Sequence, residues 1–152
     1  MKARVRVVGI GSPNGDDAIG METVRQLQKE MGECAGVELC IADSGQRLLD
    51  HIDPSAKLIL IDALAGENPG TIHRLTWPDQ RIAALCPTST HALGVPQALE
   101  LAAAIGQLPQ RVVIYAIEID RAEPASGMSP FVGPALAELI SLIQSEIVRG
   151  MG

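Results

Sequence analysis

The stretch that most constrains the fold is a glycine-rich, acidic loop over residues 9–20, Gly-Ile-Gly-Ser-Pro-Asn-Gly-Asp-Asp-Ala-Ile-Gly. It follows the apolar run Val5–Ile10 and precedes an amphipathic segment, which predicts a strand, a loop and the start of a helix. Such loops usually bind phosphate through free backbone N–H groups at a helix N-terminus. Here Asp16 and Asp17 would repel a nucleotide and attract a cation. The loop therefore favours a metal site over a dinucleotide site.

The rest of the chain alternates between apolar and amphipathic segments. Four further strands are predicted, over 37–42, 57–63, 71–77 and 111–117. Helices are predicted after Asp17, around Leu48, from about Pro96, and from the capping pair Ser129-Pro130 onward. This alternation predicts an α/β/α layered fold with a mostly parallel sheet. A length of 152 residues is typical of one domain, here 1–152.

Composition excludes several classes of function. Phe, Tyr and Trp occur once each and the net charge is −6, so binding to nucleic acid is not expected. No apolar segment is long enough to cross a membrane, and no signal peptide is recognisable. The 3 cysteines form no metal-binding or redox pair, which is typical of reduced thiols. We expect a cytoplasmic monomer without membrane insertion.

Three polar side chains are predicted to meet at the edge where the parallel strands end. Asp17 follows the first strand, Asp62 ends the most hydrophobic strand, and His91 precedes the third helix. Ligand sites in open α/β sheets lie at this edge. Two carboxylates and one imidazole suit a divalent cation such as nickel or zinc, with coordination positions left for an outside ligand.

Each of these residues also has a simpler explanation. Asp17 suits a helix N-terminus, Asp62 suits a turn, and a loop histidine such as His91 is most often a surface residue. Glu118, placed just after the fifth strand, is a weaker ligand candidate, and His51 and His73 are expected to be structural. A thiolate–imidazole pair of Cys86 with His91 is disfavoured, because no third group is visible to orient the histidine.

Three ordered motifs resemble those of the hydrogenase maturation endopeptidases over nearly the whole chain. Residues 9–20 resemble the family's opening G-x-G-N…D-[DE]-x-x-G motif. Residues 60–63 with 69–74 resemble its V-D-A…P-G-T segment, and residues 89–96 resemble its S-x-H-x-[LV]-G-[LVI]-P segment. The chain departs from the family at Ser12-Pro13, in a loop that looks one residue shorter, and at 44–46 after the second strand.

The resemblance implies a three-layer sandwich whose five strands have the order 2-1-3-5-4, with strand 4 antiparallel. It also implies that Asp17, Asp62 and His91 contact metal and act in catalysis. The implied function is a peptidase that removes the C-terminal extension of a nickel–iron hydrogenase large-subunit precursor. The nickel would be supplied by the precursor, and the free enzyme would hold no tightly bound cofactor.

Two other functions fit the same three residues. A non-enzymatic nickel-sensing chaperone of the hydrogenase large subunit would bind the precursor and release it uncut. A stand-alone metal-dependent amidohydrolase would act without that subunit and keep its metal through dialysis. A nucleotide-binding protein is the weakest alternative, because the loop is acidic and its glycines do not follow the G-x-G-x-x-G spacing.

Overall fold

A computed structural model describes residues 4–11, 18–43, 45–84, 94–119 and 133–151 of the protein. Its centre is a 5-stranded sheet with the order β2-β1-β3-β5-β4. The strands are β1 (Val5–Ile10), β2 (Val37–Ala42), β3 (Lys57–Ala65), β4 (Ile72–Thr76) and β5 (Val112–Ile119). All neighbours pair in parallel except β4, which is antiparallel to β5. The predicted fold class and the strand order implied by the family resemblance are confirmed.

Helices cover both faces of the sheet. The helices are α1 (Ile19–Met31), α2 (Gly45–Leu48), α3 (Val95–Ala104) and α4 (Ala135–Met151). Apolar side chains of α1 and α4 pack on one face, and those of α2 and α3 pack on the other. Residues 58–61 of β3 are buried from both sides, which explains their unbroken apolar run. No helix in the described ranges is long and apolar enough to cross a membrane.

Several boundaries differ from the sequence-based expectation. β3 continues to Ala65 and β5 to Ile119, so Asp62 and Glu118 lie inside their strands rather than at or beyond the strand ends. Ser129-Pro130 lies outside the described residues, and α4 begins only at Ala135, after a turn at residues 133–134. The final helix is confirmed, whereas its predicted opening at Ser129-Pro130 is not tested. Pro134 is consistent with the turn before α4, because the residue before a proline avoids helical geometry.

A buried ionic cluster ties α4 to three strands. The Glu146 side chain is 1% exposed, and its carboxylate accepts hydrogen bonds from Lys57 Nζ at 2.5 Å and Tyr115 Oη at 2.6 Å. Arg74 Nε donates a further bond at 2.8 Å. Burial raises the pKa of Glu146, but the bonds from Arg74, Lys57 and Tyr115 outweigh it and hold that pKa far below its usual value. Glu146 is therefore a structural anion, held on the opposite side of the sheet from α2 and α3.

Candidate functional site

Asp62 is the one predicted site residue within the described ranges. It is 2% exposed and lies in β3 between Leu60 and Leu64, whose side chains face α2 and α3. Asp62 Oδ1 accepts a hydrogen bond from the backbone N–H of Ala63 at 2.8 Å. A buried carboxylate between leucines costs folding free energy, so its presence calls for a role beyond packing.

The end of β1 lies beside Asp62. Gly9 pairs with Ile61, the residue before Asp62, and β1 ends one residue later at Ile10. The chain therefore leaves the sheet next to Asp62, and the loop that carries Asp17 begins there. Asp17 itself lies outside the described residues.

Two glycines bring the start of α1 against the same point. A Cβ atom on Gly20 would lie 2.7 Å from Ile10 N and 2.8 Å from Ile61 O, and one on Gly9 would meet the Gly20 carbonyl. Neither position has room for a side chain, so α1 packs backbone to backbone on β1 and β3. Gly9 and Gly20, at the two ends of the acidic loop, thus serve close packing of helix on strand, one residue away from Asp62.

The structure bears on the simpler explanation of Asp17. The N-cap of α1 is Ala18, which provides no side-chain cap. Asp17 is the residue before it and lies outside the described residues, so the explanation of Asp17 as an acid at the helix N-terminus is not tested. The macrodipole of α1 still favours an acid near this helix end.

The topology also bears on the start of α3, the described element that follows His91. His91 lies outside the described residues, three positions before Gly94, the N-cap of α3. Helix α3 leads into β5, and a crossover helix runs antiparallel to the strand that it precedes. The N-terminus of α3 therefore faces the edge where β1 ends. The described residues next to the loop of Asp17 and the N-cap of α3, which follows His91, therefore lie at this edge.

The other acid considered from the sequence has a structural role. Glu118 accepts a hydrogen bond from His73 Nε2 at 2.9 Å, and the same bond holds the pKa of Glu118 below its usual value. Its carboxylate also fills the space beside Gly66, which has no side chain to displace it. Arg6 donates a hydrogen bond to the backbone carbonyl of His51 at 2.9 Å, a contact that does not involve the imidazole. The bond from His73 to Glu118 agrees with the expected structural role of His73, whereas the role of the His51 imidazole stays a prediction.

Within the described ranges, no group of three or more His, Cys, Asp or Glu side chains is arranged to hold a metal ion. Cys34 is exposed and Cys40 is half-buried, and both are free thiols, as expected. Burial raises the pKa of the Cys40 thiol, which makes it a poor nucleophile. A metal site at Asp62 built from three such side chains would therefore need residues outside the described ranges, which include Asp17 and His91.

The comparison with known families decides the class of protein. The sequence model of the hydrogenase maturation protease family matches residues 21–146. The chain belongs to this family. The match includes Asp62 and His91 and begins just after the acidic loop.

Individual relatives agree with this family assignment. Hydrogenase 2 maturation protease of Escherichia coli K12 is 27% identical over 167 residues, covering 97% of this chain and 95% of its own length. Hydrogenase expression/formation protein HoxM of Cupriavidus necator is 27% identical over 131 residues, covering 80% of this chain and 63% of its own. These relatives place the maturation protease among peptidases, which confirms the predicted enzyme class.

The fold agrees with that of a solved family member. The hydrogenase maturating endopeptidase HybD from E. coli superposes with a TM-score of 0.69 and 28% identity, covering 94% of this chain and 93% of that one. The maturation protease thus shares its architecture, as well as its sequence signature, with an endopeptidase.

Proposed function

We propose that this maturation protease removes a C-terminal extension from a nickel–iron hydrogenase large-subunit precursor that already carries nickel. The observation that carries the proposal is Asp62, a carboxylate that is 2% exposed in an inner strand, at the point where β1 ends and α1 begins. Family membership supplies the class of reaction, peptide-bond hydrolysis. It also supplies the class of substrate, a hydrogenase precursor.

Nickel enters this proposal as part of the substrate. Asp17, Asp62 and His91 offer two carboxylates and one imidazole, a ligand set that suits nickel and leaves positions open for groups of the precursor. Three ligands at an open edge bind free metal weakly, and they gain affinity when the precursor supplies the remaining ligands. The protease would therefore recognise the precursor only after nickel insertion.

The chemistry that follows is hydrolysis beside a cation. The precursor's nickel draws electron density from the scissile carbonyl, which makes its carbon more electrophilic. Water attacks that carbon while a carboxylate of Asp17 or Asp62 accepts a proton from the water. The same carboxyl group then donates this proton to the leaving nitrogen as the C–N bond breaks, which releases the extension as an amine. In this scheme His91 binds and orients the ion.

The test compares single variants on nickel-loaded and nickel-free precursor. Asp17→Asn, Asp62→Asn and His91→Ala should each reduce the rate of processing at least about 100-fold. Asp50→Asn is the matched control, because Asp50 is an exposed aspartate outside the three family motifs. Intact mass of the precursor reports cleavage, and thermal unfolding verifies that each variant folds.

The outcomes separate the parts of the proposal. Cleavage of nickel-free precursor at the full rate would contradict recognition through nickel and leave the peptidase assignment standing. Normal rates in all three site variants would contradict the residue assignment. Binding of the loaded precursor by the wild-type protein without any cleavage would favour the chaperone alternative.

A further inference from the structure

Strand β2 forms one edge of the sheet and has an open hydrogen-bonding side. Val5 N–H donates to Gly36 O at 3.0 Å and Gly11 N–H donates to Ala42 O at 3.2 Å, so even-numbered residues of this segment face β1. Residues in a strand alternate in the direction of their N–H and C=O groups. Leu39 and Ile41 therefore direct both groups away from β1. Neither N–H is bonded to another residue in the described ranges.

Features that usually protect an edge strand from pairing are few in β2. Its sequence, Val-Glu-Leu-Cys-Ile-Ala, has no proline and no lysine, and its pairing with β1 is continuous over all 6 residues without a bulge. Its one charged residue, Glu38, is paired with Arg6 of β1 at 2.7 Å. The opposite edge strand, β4, is followed by a proline and carries Arg74, which is anchored to Glu146.

A groove of about 580 Å³ adjoins the first half of β2. Val37 and Leu39 form one wall, and the end of α1 with the following turn, including Gln28, Gly32 and Glu33, forms the other. The carbonyl end of a helix carries partial negative charge, and Glu33 adds a full charge. The groove therefore suits a long basic side chain, whose methylene stem packs on Val37 and Leu39 while its charge lies near Glu33.

The opposite end of β2 lies at the candidate site. Ala42 pairs with Ile10, the last residue of β1, and Asp62 lies in the next strand beyond. At about 3.3 Å per residue, the path from Leu39 to the end of β2 spans about 10 Å. A peptide that leaves the site along this edge would reach the groove within about five residues.

We propose that the segment following the cleaved bond of the precursor adds to the sheet as a strand antiparallel to β2 and places a basic side chain in the groove. This inference rests on the proposed function. Cleavage near a C-terminus leaves the folded body of the precursor at the site, so the released extension is the part free to become a strand. Backbone hydrogen bonds to Leu39 and Ile41 then supply affinity that depends little on the sequence of the extension. The groove supplies a preference for extensions that carry a basic residue.

The first test is amide hydrogen exchange in the complex of the wild-type protein with nickel-loaded precursor, recorded by rapid mixing before cleavage is complete. We expect the amides of Leu39 and Ile41 to slow at least about tenfold on binding, since each gains a hydrogen bond. The amide of Cys40, which faces β1, should change little. Unchanged exchange at Leu39 and Ile41 in a formed complex would overturn the inference.

The second test uses proline in the wild-type background. Leu39→Pro removes the outward N–H without removing a bond to β1, and should lower kcat/KM about tenfold relative to Leu39→Ala, which keeps that N–H. Thr76→Pro is the matched control, because Thr76 is an exposed edge residue of β4 whose N–H also faces outward. Glu33→Lys should raise KM severalfold by reversing the charge at the groove.

Kinetics separate this inference from the proposed function. If wild-type protein cleaves the loaded precursor, and Leu39→Pro cleaves it as fast as Leu39→Ala, the docking inference alone fails. If wild-type protein neither binds nor cleaves the precursor, the proposed function fails and the docking inference fails with it. Circular dichroism of Leu39→Pro against Thr76→Pro verifies that both proteins fold.

Discussion

The buried carboxylate of Glu146 offers the sharpest test of how this fold is held together. Glu146→Gln keeps the size of the side chain and removes its charge. Lys57 would then keep its ammonium with its side chain only 4% exposed and no anion beside it. Arg74, whose side chain is 44% exposed, can turn toward water, so the cost comes mainly from Lys57.

The expected loss follows from that geometry. Removing one partner of a buried ion pair typically destabilises a protein by about 3–5 kcal/mol. Glutamine can still accept a hydrogen bond from Tyr115, so we expect the lower end, about 3 kcal/mol. With a denaturant dependence of about 2 kcal/mol per molar urea, the unfolding midpoint should fall by about 1.5 M.

Equilibrium urea unfolding measures this shift, and two further proteins make it specific. Glu138→Gln is the control, because Glu138 is an exposed acid of the same helix, and its substitution should change stability by less than about 0.5 kcal/mol. The double variant Lys57→Met with Glu146→Leu removes both charges and should recover most of the loss. A decrease in the free energy of unfolding below about 1 kcal/mol in Glu146→Gln would refute this reasoning. So would a double variant that is no more stable than Glu146→Gln.

Two other predictions follow from contacts described above. Burial and the bond to Glu146 raise the pKa of Tyr115 from 10.0 to about 12, so its contribution to stability is complete below pH 10 and is lost as the pH rises through about 12. The thermal midpoint of the parent protein should therefore fall over this range, and Tyr115→Phe should lack that step; an identical alkaline profile in both proteins would count against it. Gly9→Ala should cost about 1–3 kcal/mol, because the new methyl group would lie 2.8 Å from Val24 Cγ2 and closer still to the Gly20 carbonyl. A change below about 0.5 kcal/mol in urea unfolding would contradict that close approach.

The sequence predicts all five strands, because burial of a strand produces a local pattern of apolar residues. The run over 58–61 is apolar on both sides, so its assignment as an inner strand is confirmed. The same rule misplaces the ends of β3 and β5, since it assigns a charged residue to the end of a strand. Asp62 and Glu118 both continue their strands, because backbone pairing between β3 and β5 runs on through Ala65 and Ile119 whatever the side chains are.

Polar contacts between residues far apart in the chain produce no local sequence pattern from which they could be predicted. Glu146 belongs to an amphipathic helix and resembles any solvent-facing acid in sequence, yet its partner Lys57 lies 89 residues away in the chain. The candidate site likewise has one part that the structure describes and another that only the sequence motifs predict. The strand of Asp62 and the flanks of both loops are placed by the structure, whereas the convergence of Asp17 and His91 on Asp62 remains a prediction from the motifs.

The attachment of Glu146 to β3, β4 and β5 also has a consequence for the order of assembly. Ribosomes deliver the strands before α4, so Lys57 first meets its neighbours without a counter-ion and stays hydrated. The edge strand β4 gains the ion pair between Arg74 and Glu146 only when α4 docks. Anchoring of the edge strand β4 is thus coupled to docking of the last helix. A nascent chain released before residue 146 would lack this anchor, and its edge strand would be more open to proteolysis.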